Sequence, residues 1–261
     1  MPLRTVNGTR YVAPLREGGS LPAIVEADDG RMYVVKFRGA GQGALALVAE
    51  LISGEIARLL GLCVPKIVFV QIDPAFGRNE PDTEIRDLLK ASVGLNVGLE
   101  YLPGATTFDP AAGDEASLLT ASLCVWFDAF VLNVDRTARN ANLLLSEEKL
   151  WLIDHGASLY FHHNWPTAKE KATSKFEQIR EHILLRWAGD IAAASETAHR
   201  TITDAKLEAI LQLLPEDWLT SERDAVTASQ RRSSYREFLL WRLEASNIFE
   251  QEIAHARSQI V

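Results

Sequence analysis

The most apolar window of the chain, Leu118 to Val134, runs straight into its most polar one, Asn133 to Asn142. An apolar stretch of this length could span a bilayer. Thr120, Ser122 and Asp128 interrupt it, however, and a polar segment follows at once, so it reads as a helix buried in a protein core. The loop that leaves such a helix has to expose its polar side chains in one place. Asn133-Val134-Asp135-Arg136-Thr137-Ala138-Arg139-Asn140-Ala141-Asn142 holds three Asn, one Asp and two Arg, an unlikely connector if solubility were its only purpose. Asp135 and Asn140 stand five apart, a spacing that in an irregular loop lets both oxygens face one cleft. Fourteen residues past Asn140, after an apolar strand, comes Asp154-His155-Gly156, a carboxylate well placed for a hard cation held through oxygen and phosphate.

The rest of the chain divides by texture. Leu21 to Ala27 and Arg31 to Phe37 are strand-like runs joined at Asp28-Asp29-Gly30, a hairpin signal. Leu45 to Leu60 has helical spacing and stops at Gly61, and Lys66 to Ile72 reads as a buried strand followed by a polar loop from Pro74 to Asp82. Beyond Gly98 the segments turn helical: Leu118 to Leu132, then roughly 172–194, 204–214 and 230–258, with Pro215 as a break. Asn142 to Leu145 and Leu150 to Ile153 form a second hairpin embedded among them. The organisation expected is a strand-rich part, residues 1–97, and a helical part, residues 98–261.

Phosphoryl transfer needs a cation on the nucleotide phosphates, a metal to neutralise charge and a carboxylate near the attacking hydroxyl. Asp154 and Asn140 would hold the metal, Asp135 would orient and deprotonate the acceptor, and Arg139 or Arg136 would steady developing negative charge. Lys36 closes the apolar run Met32-Tyr33-Val34-Val35 and needs a partner. Glu50 and Glu55 on the next helix are the candidates. Five residues apart, they point about 140° away from each other, so only one can face Lys36. Two glycine-rich turns could aim N–H groups at phosphate: Gly18-Gly19-Ser20, and Gly39-Ala40-Gly41-Gln42-Gly43.

D-x4-N, an apolar strand and D-x-G, preceded by a strand Lys and a helical Glu, resemble the protein-kinase-like superfamily. Asn133-x-Asp135-Arg136-x-x-Arg139-Asn140 resembles the N-x-D-x-H-x-x-N loop of the HipA-like kinases, and Leu59-Leu60-Gly61-Leu62-Cys63-Val64-Pro65 resembles their LGLxVP passage. The likeness spans roughly residues 15 to 160 and is nearest to the compact stand-alone branch. Arg139 stands where many members have Lys. The resemblance implies an α+β, two-lobed protein-kinase-like fold, ATP and Mg²⁺ as cofactors, and phosphate transfer to a hydroxyl, by analogy that of a protein Ser or Thr. It selects Glu50 over Glu55, places the adenine hinge at Glu100, Tyr101 and Leu102, and favours Gly18, Gly19 and Ser20 as the phosphate loop, with Ser20 a speculative autophosphorylation site. A HipB-like antitoxin is the kind of regulator implied. A small-molecule or lipid-headgroup kinase, or a nucleotide-binding pseudokinase acting through a partner, are the rival readings.

Composition sets the outer limits. With 27 basic against 35 acidic residues the net charge is −8, which argues against nucleic-acid binding through the overall field. The start, MPLRTVNGTRYV, lacks the apolar core of a secretory signal, and two cysteines in apolar settings make no disulfide framework, so a reducing cytoplasm is expected. His162-His163 lacks the Cys or acidic partners of a zinc site and reads as a surface or packing pair. His155 reads as structural, Asn133 and Asn142 as ties to neighbouring backbone, Trp126, Trp151 and Trp187 as core, and Arg231-Arg232 as a solvated helix face.

Overall fold

The computed structural model describes residues 3–15, 21–41, 43–78, 80–220 and 226–260. Gly18, Gly19 and Ser20 therefore lie outside the described residues, as does Gln42 of the second glycine turn.

Five strands close into a small barrel: β1 (Thr5–Pro14), β2 (Ala23–Ala27), β3 (Met32–Lys36), β4 (Ile67–Ile72) and β5 (Gly94–Glu100), in the order β1-β2-β3-β5-β4. Neighbours are antiparallel except β1 and β4, whose parallel pairing closes the ring. Alternation sends Val25, Tyr33, Val35, Val68 and Val70 inward. Gly98 belongs to the same packing: a Cβ there would lie 2.6 Å from a Val70 methyl, so only glycine fits. The helix α2 (Thr83–Ala91) packs Ile85 and Leu89 against the barrel core, its first turn capped by Asp82. The sequence reading left α2 unassigned. The 97/98 boundary falls inside β5, which runs on to Glu100.

Between β3 and β4 runs α1 (Gly43–Leu59), buried along most of its length. After β5 come the two-residue strand β6 (Thr106–Thr107), α3 (Leu118–Phe130), and the hairpin β7 (Leu143–Ser146) and β8 (Lys149–Leu152), which pairs with β6. The short α4 (Ala168–Ala172), then α5 (Ile191–Thr201), α6 (Asp204–Leu211), α7 (Glu216–Leu219), α8 (Ala228–Glu244) and α9 (Ser246–Ser258) complete the chain. One large core joins Leu47, Val48 and Leu51 of α1 to α3, α8 and α9. Among the described residues, no helix is long and apolar enough to cross a membrane.

Several local expectations are corrected. Of the helix expected over 172–194 only the end, from Ile191, is α-helical; before it lie two short 3₁₀ turns, Glu177–Glu181 and Leu185–Trp187, because His182 bridges to Thr137 and the Ile183 N–H donates to the Arg136 carbonyl. Tertiary pairing overrides helical periodicity there. The helix expected over 230–258 breaks at Ala245, and α8 begins earlier, on a Thr227/Gln230 capping box. Arg231 is buried and Arg232 half-buried: Arg231 lies over the Trp165 ring, and Arg232 donates to the Leu211 and Leu214 carbonyls at and just past the end of α6. Trp126 is fully buried, whereas Trp151 and Trp187 are half-buried, the latter between Phe108 and the Arg186 guanidinium. His162 packs inside and shares a 2.9 Å hydrogen bond with the Tyr235 hydroxyl, while His163 is exposed.

Candidate active site

A cleft of about 550 Å³ opens where the barrel meets the helical part. Val34 and Lys36 line it from β3, on the face opposite Tyr33 and Val35. Leu99, Pro65, Leu144 and Ile153 supply apolar walls, and Asp135, Asn140, Asn142 and Asp154 supply the polar floor.

Lys36 is the junction. Its Nζ lies 2.5 Å from Glu50 Oε2 and 2.5 Å from Asp154 Oδ1, so α1 and the loop after β8 meet on one ammonium. Burial alone would lower the Lys36 value, but the Glu50 and then the Asp154 charges outweigh it and hold it above its ordinary level. Glu50 is wholly buried. Burial would raise its carboxyl, yet the Lys36 charge and a hydrogen bond from His155 keep it far below the usual carboxylate range. The His155 N–H donates to Glu50 Oε2 at 2.7 Å, and its Nδ1 sits 3.3 Å from Oε1. Glu55 faces elsewhere and pairs loosely with Arg58.

Asp154 has a left-handed backbone, φ 55°, which turns its side chain back toward Lys36, and the side chain is 37% exposed. Gly156, two residues on, leaves the Lys36 ammonium and Asp154 unobstructed: a Cβ there would sit 3.6 Å from each. Across the cleft, Asp135 Oδ2 accepts from Asn140 Nδ2 at 2.9 Å and from Asn142 Nδ2 at 3.3 Å. Asn142 also donates to the Asp135 carbonyl, and Asn133 Oδ1 accepts the Asp135 N–H. Asn140 Oδ1 and Asp154 Oδ2 have no protein partner among the described residues. Carboxylate and amide oxygens of this kind suit a hard divalent cation.

The remaining predicted residues divide. Glu100, Tyr101 and Leu102 line the cleft, with Glu100 paired to Arg31 and the Tyr101 N–H donated to the Met32 carbonyl. Leu15 and Pro22, which flank the first glycine loop, reach the cleft, and so do Ala40, Gly41 and Gly43 of the second. Arg139 is exposed and does not line the cleft. Arg136 cannot reach a phosphate at all: it is buried and ion-paired to Asp128 of α3 at 2.6 Å. That pair is what the sequence reading missed. The signal was Asp128 itself, a carboxylate inside an apolar helix, which burial forbids without a partner.

Over residues 9–251 the sequence matches the HipA-like kinase family. The chain belongs to the HipA-like kinases. Among solved structures it is similar to a Helicobacter pylori proinflammatory kinase, CtkA, at 13% identity over 99% of this chain and 98% of that one, with a TM-score of 0.56. At that identity the likeness speaks for a kinase-like fold. No curated protein matches the chain. Membership of a kinase family implies the use of ATP and a metal in general.

Proposed function

We propose that this chain is a two-lobed ATP- and Mg²⁺-dependent kinase that phosphorylates a hydroxyl, that of a protein Ser or Thr. The observation that carries the reading is the meeting of Lys36, Glu50 and Asp154 at 2.5 Å contacts in the same cleft as Asp135 and Asn140. The barrel acts as the nucleotide-covering lobe and the helical part as the catalytic one. Adenine lies between the apolar walls beside Glu100 to Leu102, and Lys36, fixed by Glu50, meets the phosphates. Asp154 and Asn140 would hold the metal, which would neutralise phosphate charge. Asp135 takes the proton of the acceptor hydroxyl as its oxygen bonds to the γ-phosphorus and the bond to the β–γ bridging oxygen breaks, leaving ADP. Arg139, exposed at the loop surface outside the cleft lining, would serve the acceptor rather than the nucleotide. The Ser/Thr assignment rests on the family likeness.

The test is ATPase and phosphotransfer by the wild type beside Asp135→Asn, with intact-mass readout. Wild type is expected to turn over, and Asp135→Asn to lose about 10²- to 10⁴-fold while still binding ATP. Undiminished turnover in Asp135→Asn, or a wild type that binds ATP and never transfers phosphate, would sink the reading.

A further inference from the structure

We infer that Arg136, gripped by Asp128, is a positioning residue that fixes Asp135 and Asp154 relative to each other across the cleft. The inference rests on the kinase reading above. Arg136 follows Asp135 directly in the chain. Its Nε donates to Asp128 Oδ2 at 2.6 Å, and its Nη1 donates to the carbonyls of Asn142 and, at 3.3 Å, Ile153. Each contact has an active-site neighbour. Asn142 carries the amide that holds the Asp135 carbonyl and carboxylate, and Ile153 is the residue before Asp154. One planar guanidinium thus ties α3 to the two chain segments that carry Asp135 and Asp154. A lysine ammonium, a point charge without that fork, could not reproduce the arrangement.

The anchor is equally constrained. Asp128 sits at 0% exposure on α3, between Phe127 and Phe130 of the same buried helix. It accepts Asn133 Nδ2 at 2.8 Å, and Asn133 in turn accepts the Asp135 N–H at 3.2 Å. His182 completes the set. Its Nδ1 accepts the Leu184 N–H, so Nε2 carries the proton and donates to Asp128 at 2.9 Å. Cys124, Asp128 and His182 are compact enough to suggest a metal site. The Arg136 charge already on Asp128 and the proton on His182 Nε2 oppose a second cation, and the cluster is a brace instead.

The test compares wild type, Arg136→Lys, Asp128→Asn and the double variant Asp128→Asn/Arg136→Gln by phosphotransfer kinetics and thermal melting. Removing one charge leaves the other buried and unpaired, so Asp128→Asn is expected to melt well below wild type, and the neutral double variant to recover part of that loss. Catalysis is expected not to follow stability: kcat falls about 100-fold in Arg136→Lys and in the double variant, with the KM for ATP within about 3-fold of wild type. Recovery of kcat alongside melting temperature would overturn the proposal, making the pair merely structural. So would a raised KM at unchanged kcat, the signature of a phosphate contact. Should the double variant fail to fold, Arg136→Lys, which keeps the charge beside Asp128, decides by the same split. A wild type without phosphotransfer removes the kinase reading first, and this inference with it.

Discussion

Replacing Lys36 by Met strips the ammonium from Glu50 while leaving the shape of the site nearly unchanged. The carboxylate is wholly buried and keeps only the His155 N–H and ring as donors. An unpaired buried carboxylate escapes by taking up a proton, and that sets a ceiling on the charge penalty. Protonating a carboxyl whose ordinary value is 4.5 costs about 3.4 kcal/mol at pH 7 and about 0.7 kcal/mol at pH 5. In the wild type the lowered Glu50 value makes its stabilisation fully present above about 4.5. In Lys36→Met the same carboxyl is raised, so its penalty is present at high pH and fades as pH falls. The difference in unfolding free energy between the two proteins should therefore shrink by about 2.7 kcal/mol between pH 7 and pH 5. Groups that titrate alike in both proteins cancel. Denaturant titration followed by tryptophan fluorescence at the two pH values measures it, and at pH 7 the melting temperature should fall by about 7–14 °C. Glu50→Gln is the control: Lys36 keeps Asp154, no buried carboxylate remains at position 50, and the penalty should be flat over the same range. A Lys36→Met penalty below about 1 kcal/mol at pH 7, or one that ignores pH, would refute the reasoning.

Three further outcomes follow from the packing and the buried charges. Gly98→Ala pushes a methyl to 2.6 Å from Val70 and 3.2 Å from Val68, and should cost about 1–3 kcal/mol by denaturant titration, with Val70→Ala giving back part of it in the double variant. On acidification, stability should begin to fall just below pH 6.5, because burial holds His162 at about 3 and His182 below its ordinary value, so the unfolded chain binds protons first. The loss should steepen below about 4.5, where Glu50 and Asp128, both held low against burial by their cations, begin to protonate on unfolding; a stability flat from pH 7 to pH 5 would contradict it. Asp154→Ala should abolish metal-dependent ATP turnover while leaving Lys36 paired to Glu50, so melting within a few degrees of wild type is expected, and a collapsed fold would contradict it.

Periodicity made the Leu118–Phe130 helix and the hairpin after it legible, because burial on one side and polar exposure at the ends both leave marks in the sequence. Lys36 stood out for the same reason, as a charge terminating an apolar strand. The structure adds that Glu50, and not Glu55, reaches it, a choice that angular spacing alone left open. Segment 177–187 escaped because its backbone is claimed by the loop after α3, a partner some 45 residues away that no local pattern encodes. Arg136 was harder still. Set between Asp135 and Thr137 it reads as a cation for developing phosphate charge, and only Asp128, stranded in an apolar helix, hints that an arginine has to come inside.

The shared core of α1, α3, α8 and α9 has a mechanical consequence. Swinging the barrel wide from the helices would drag α1 out of a dry interface and expose its leucines and valines to water. A gross gape of the molecule would carry that cost each time the cleft opened. X-ray scattering curves of the free and ATP-loaded protein should superimpose at low angle, and a clear contraction on loading would show that the interface yields after all.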